Sequence, residues 1–248
     1  MAARAHPPAL AHGALSEVLP NIFFVTGTMS MPRPLPVTFS RNMSVVREGK
    51  RLILVNSVRL DEVGLRALDA LGTVTDVVRV AGYHGRDDPF YKERYGAKVW
   101  VVKGQRYVSG FDASAAETYL TPDVEVDVNS ALPIPNARMY LVGSNAPEGL
   151  LLLERDGGVL IAGDSLQNWQ RTDPFFNLAG RLMMKAMGFI KPHNVGPAWL
   201  KQAKPPHADL AGILDLPFTH VLPAHGSPVI GGAKAGYAPR LEAFRADH

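Results

Sequence analysis

The chain has 248 residues, 46% of them hydrophobic and 20% charged, with a formal net charge of +3. That balance supports a sizeable folded core and excludes a disordered chain. There is no cysteine, which excludes disulfides, thiolate metal sites and cysteine nucleophiles, and no run of five or more Lys or Arg, so a nucleic-acid-binding stripe is unsupported.

In chain order, residues 1–20 are rich in Ala, His and Pro and read as a loose leader, with 1–18 expected to be dispensable for folding, which leaves 21–248 as one domain. Residues 22–26 form a β-branched and aromatic run, an expected first strand. Pro32, Pro34 and Pro36 then enforce a loop. Residues 43–47 and 52–56 are strand-like runs around Glu48-Gly49-Lys50, a turn of hairpin length. Asp61 is placed to cap a helix carrying Val63, Leu65, Leu68 and Leu71, closed by Gly72. Residues 76–80 are a strand ending in a polar segment, 82–88. Asp88-Pro89 reads as a cap and first turn of a helix that stops at Gly96, and 98–102 as the next strand. Strands are further expected at 124–128, 138–142 and 150–154. Asp156-Gly157-Gly158 turns the chain into 159–162. Residues 174–216 read as helices and loops, with Leu182, Met183, Met184, Met187 and Ile190 as either an apolar wall or a core-packing helix face. A late strand at 218–222 and a terminal helix at 233–247 complete the pattern. Strands followed by helices in each half predict two packed sheets with helices outside.

Polar, metal-competent groups follow three of the apolar strands, at 82–88, at Gly163-Asp164-Ser165 and at Ala224-His225-Gly226. Strand ends are rigid platforms, and groups at one sheet edge converge. Imidazole and carboxylate suit zinc, iron or manganese, which makes His84, Asp164 and His225 a chemically sensible ligand set. Each residue also has a plainer reading: His84 as a polar loop residue, Asp164 as a strand-terminating Asx turn, Asp88 as a helix cap and Asp87 as a solvated carboxylate. His220 lies inside a strand and is set aside. Ser165 has no identifiable base, and no Gly-x-Ser-x-Gly is present, so a serine hydrolase has little support.

The order of these loops resembles the metallo-β-lactamase superfamily over roughly residues 20–235. The segment 158–164 is similar to the family strand ending in a metal-bridging Asp, and 218–226 to its last strand and final ligand His. The family signature His-x-His-x-Asp-His overlays Gly82-Tyr83-His84-Gly85-Arg86-Asp87, where only His84 stands as a matching His. The family's Asp-Thr-Gly appears as Asn56-Ser57-Val58, and its Gly-His as Gly143-Ser144. The resemblance implies an α+β fold, a four-layer αββα sandwich of metallo-β-lactamase type, in a divergent branch with an eroded signature.

Two functions are compatible with this. In one, a single divalent ion on His84, Asp164 and His225, with Asp87 or Asp88 as a further ligand or else as general base, supports hydrolysis of a small ester, lactone or amide. In the other, the fold binds a small molecule or a protein partner without metal or catalysis. Residues 1–15 lack the apolar core of a secretory signal, and apolar runs such as 150–153 are far too short to span a bilayer. The expectation is a cytoplasmic protein with a small-molecule substrate and no nucleic-acid or membrane partner. Oligomeric state is not legible.

Overall fold

A computed structural model describes residues 6–31, 36–108 and 119–245. Strands β1 (Ser16–Leu19), β2 (Ile22–Met31), β3 (Val37–Glu48), β4 (Arg51–Val55), β5 (Thr73–Arg79), β6 (Lys98–Val102) and β7 (Val124–Val126) form one seven-stranded sheet in sequence order. It is antiparallel from β1 to β4 and parallel from β4 to β7. The parallel crossovers carry helices α1 (Glu62–Leu71) and α2 (Asp88–Tyr95). A second sheet, in the order β13-β10-β9-β8, comprises β8 (Ala137–Val142), β9 (Glu148–Leu153), β10 (Val159–Ala162) and β13 (His220–Pro223). Between β10 and β13 come the short ladder β11 (Leu166–Gln167) with β12 (Asn194–Val195), and helices α3 (Leu178–Ala186), α4 (Pro197–Ala203) and α5 (His207–Gly212). Helix α6 (Ala233–Glu242) follows β13. Among the described residues no helix is long and apolar enough to cross a membrane.

Strand alternation builds the layers. On β4, Leu52 and Leu54 face the core beneath α1 and α2, while Ile53 and Val55 face the core between the sheets. On β10, Val159 and Ile161 enter that same central core, and Leu160 and Ala162 join the core under α4, α5 and α6. Strands read as continuous apolar runs because both faces are buried. The result is the expected four-layer αββα sandwich.

Several expectations are corrected. Residues 6–20 of the expected leader are docked: β1 pairs with β2, and Gly13 N–H donates to Thr26 O at 2.8 Å. Arg59 also holds the carbonyls of His6 and Pro7. Backbone pairing thus fixes a segment with little apolar periodicity. Strands β2 and β3 run farther than their apolar stretches, pairing from Ile22↔Val46 to Met31↔Val37. Pro32 and Pro34 of the expected loop, and residues 1–5 and 246–248 of the two termini, lie outside the described residues. Asp61 caps α1 as expected, accepting from Gly64 N–H at 2.8 Å. Asp88 is not a cap: it is the first residue of α2, follows Asp87 at the N-cap position, and is fully buried. The last strand begins at His220, two residues later than expected.

Candidate metal centre

Parallel pairing of β10 with β13 sets Ala162 beside Pro223. Asp164 and His225 each follow two residues later and therefore emerge at one rim. His84 reaches the same rim from the 3₁₀ turn Gly82–His84, after β5. Ligand-competent atoms of His84, Asp164 and His225 lie within 4.8 Å of one another, and all three residues are buried. His225 Nε2 stands 3.2 Å from Asp164 Oδ1, and His84 Nε2 stands 3.3 Å from Asp164 Oδ2. The two imidazole centroids are 5.0 Å apart.

Backbone devices hold each member. His225 Nδ1 lies 3.0 Å from Ser40 O, a carbonyl that can only accept, so Nδ1 carries the proton. Asn42 clamps the same loop, its Nδ2 donating to Pro223 O at 2.9 Å and to Gly226 O at 2.6 Å. Gly226, at φ +89°, abuts the Asn168 backbone, which leaves no room for a side chain. Behind Asp164, the buried Glu148 carboxylate accepts backbone N–H groups from Gly163, Asp164 and Ser165, and the Ser165 hydroxyl. Gly163 is required there because a Cβ would collide with Ala81. Ser165 is thus paired with an acid, but it is fully buried and therefore cannot meet a substrate.

Electrostatics follow from burial. Burial pushes the His84 imidazole toward its neutral form, against the pull of Asp164. It opposes ionisation of Asp164 too, but His84 and His225 outweigh it and hold that carboxyl well below the usual range. Burial and then the Asp164 charge push Glu148 up, against the Ser165 and Asp164 donors that favour its ionised form. Both His84 ring nitrogens and Asp164 Oδ2 are buried without a hydrogen-bond partner. Buried polar atoms are nearly always satisfied, and three of the nine exceptions among the described residues belong to this cluster. That donor set, two imidazoles and a carboxylate with unspent lone pairs, fits a divalent ion.

Asp87 and Asp88 are near in sequence but are not part of this cluster. The Asp87 carboxylate pairs with Arg41 and Arg86 and accepts Arg59 N–H at 2.8 Å. Asp88 accepts from Ser57 Oγ at 2.6 Å and Tyr119 Oη at 2.8 Å, beside Arg79 at 3.9 Å. Both are buried anchors of the loop 82–88. Asn56 ties the neighbouring strand ends together, donating to Ala162 O at 3.2 Å and accepting from Val80 N–H at 3.3 Å. Ser144 accepts from Ala146 N–H at 3.1 Å.

The cluster forms the floor of a cavity of about 180 Å³. Residues unforeseen from sequence, notably Arg41, Phe39 and Trp169, line it together with Met183, Met184 and Met187. The expected methionine cluster is therefore a cavity wall, and Met184 is also core. Trp169 stacks obliquely on His225, with centroids 4.9 Å apart, and its Nε1 donates to Ser40 Oγ at 2.9 Å.

No family model and no curated protein sequence matches the chain. Solved structures do. The FIM-1 metallo-β-lactamase of Pseudomonas aeruginosa, in its mono-zinc form, aligns at TM-score 0.61 and 12% identity over 96% of this chain and 98% of its own. A metallo-β-lactamase from Hirschia baltica aligns at 0.57 and 13%, covering 92% and 96%. The DIM-1 metallo-β-lactamase aligns at 0.61 and 13%, covering 96% of each chain. The chain therefore has the metallo-β-lactamase fold.

Proposed function

We propose that the protein is a single-metal hydrolase that takes one divalent ion on His84, Asp164 and His225 and cleaves a small ester, lactone or amide. One observation carries this reading. His84, Asp164 and His225 bring ligand atoms within 4.8 Å of one another in a buried site, and with its Nδ1–H committed to Ser40 O, His225 turns Nε2 toward an Asp164 oxygen 3.2 Å away. That is the convergence of imidazole and carboxylate donors that a divalent ion takes. A divalent ion there supplies charge that polarises a carbonyl and eases the ionisation of water. Zinc suits the set best, with iron and manganese as alternatives.

The chain's own residues do the rest. Ser40 fixes the His225 tautomer, and Glu148 fixes the Asp164 backbone. Arg41 lines the same cavity as a fixed cation and disfavours a second ion. The general-base role expected for Asp87 or Asp88 is not carried into this reading, because arginines and hydroxyl donors already engage both carboxylates.

The test strips the protein with chelator, reloads zinc, manganese or iron, and assays p-nitrophenyl esters, simple lactones, an anilide and nitrocefin. Metal-dependent ester or lactone turnover, lost in His84→Ala, is expected, with negligible nitrocefin hydrolysis because Gly82, Asp87 and Ser144 stand where the resemblance puts further ligands. Metal uptake without turnover of any carbonyl substrate counts against catalysis. No uptake of any of the three ions leaves a binding role for the cavity.

A further inference from the structure

The cavity above the cluster has walls of a different character from its floor. Met29 and Met31 of β2 line it on one side, and Met183, Met184 and Met187 of α3 and its end line it on another. Phe189 and Trp199 add aromatic surface. Beyond the cluster, the polar side chains that reach it have partners of their own, with Arg41 Nε and Gln167 Oε1 the buried atoms left without one. Arg41 is paired with Asp87, Tyr83 Oη donates to Gln202 at 3.0 Å, and Gln167 Nε2 donates to Asp164 O at 3.1 Å. A ligand in this space therefore meets thioethers and rings on its flanks and the His84–Asp164–His225 cluster at one end. Five methionines on two elements make a wall that adapts its shape without becoming polar.

We infer that the site selects carbonyl compounds bearing an unbranched or aromatic apolar group of about six carbons, with that group packed against the methionine wall. The size follows from the volume, about 180 Å³, since an apolar protein cavity of roughly 150 Å³ holds benzene. The placement of the carbonyl rests on the hydrolase reading above; the placement of the apolar group rests on the walls alone and holds for metal-free protein.

Binding is read on metal-stripped protein through tryptophan fluorescence, because Trp169 and Trp199 both line the cavity. The probes are methyl acetate, butyrate, hexanoate and decanoate. Affinity rises about fourfold per methylene, the value for burying apolar chain, and levels off beyond about six carbons. Ala198 also lines the cavity, and Ala198→Phe fills it. That variant loses at least tenfold in affinity for hexanoate while its melting temperature holds. If it does not fold, the chain-length series on the unaltered protein decides alone. Affinity independent of chain length, or a folded Ala198→Phe that binds hexanoate as well as the parent, overturns the inference. A normal series without metal-dependent turnover leaves it standing and removes only the hydrolase reading.

Discussion

The Glu148 carboxylate accepts the backbone N–H of Asp164 at 2.9 Å, so a second buried acid stands directly behind the one that faces the two histidines. Glu148 thereby sets where Asp164 points. Glu148 receives three backbone N–H groups and a hydroxyl, and an isosteric amide returns fewer acceptor sites to them. Glu148→Gln should cost about 1–3 kcal/mol in a urea melt and weaken metal binding about 10–100-fold. Parental stability and parental metal affinity together would remove Glu148 from the account.

Arg41 and Asp87, 46 residues apart in sequence, form a buried pair beneath the cavity. Removing one partner leaves the other buried charge with only its lesser partners, Arg86 and the Arg59 N–H for Asp87 and Ser57 O for Arg41, whereas removing both leaves neither charge. Arg41→Met should destabilise by about 3–5 kcal/mol, and Arg41→Met with Asp87→Leu by clearly less than the sum of the single variants. Additivity within about 0.5 kcal/mol in a double-mutant cycle would show that the pair is not coupled.

Asp61 and Asp88 separate capping from burial. Asp61→Ala loses one exposed cap bond and should cost about 0.5–2 kcal/mol. Asp88→Ala removes the acceptor of Ser57 Oγ and Tyr119 Oη and the carboxyl beside the buried Arg79, and should cost about 3–5 kcal/mol. Thermal and denaturant melts of the two variants check the order; equal losses would return Asp88 to the role of a cap.

What was legible in the sequence, and what was not, divides along this line. The runs at β4 and β10 announce themselves because burial on both faces makes them nearly continuously apolar, and the turns at Gly49 and Gly157-Gly158 punctuate them. The placement of His84, Asp164 and His225 after such runs singled them out as candidates. Ser40, Arg41 and Asn42 gave no such signal. They sit inside β3, where Ser and Asn weaken the strand pattern, and their partners Trp169, Asp87 and Gly226 are brought to them only by the fold. Glu148 was hidden in the same way, as a charged first residue of a wholly buried strand. The docked residues 6–20 are held by backbone and side-chain hydrogen bonds rather than by apolar periodicity, so composition alone misreads them.

That docking makes its own prediction. Ala11 O accepts from Thr28 N–H at 2.9 Å, and His12 Nε2 accepts from Asp61 N–H at 2.9 Å at the start of α1. Removing residues 1–15 should lower stability by about 1–3 kcal/mol in a denaturant titration. A truncated protein with an unchanged midpoint would mean that these bonds merely replace equivalent ones to water.

The central claim is one divalent ion on His84, Asp164 and His225. Three protein ligands leave an open coordination position, and Arg41 on the same cavity opposes a second charge. Because both imidazoles must be neutral to bind, affinity should fall as pH drops through the histidine range. Elemental analysis of protein loaded with zinc and freed of excess metal is the direct measurement. The account predicts one equivalent per chain at neutral pH, and a folded Asp164→Asn protein that retains almost none. Two equivalents per chain, or an Asp164→Asn variant that keeps its ion, would contradict it.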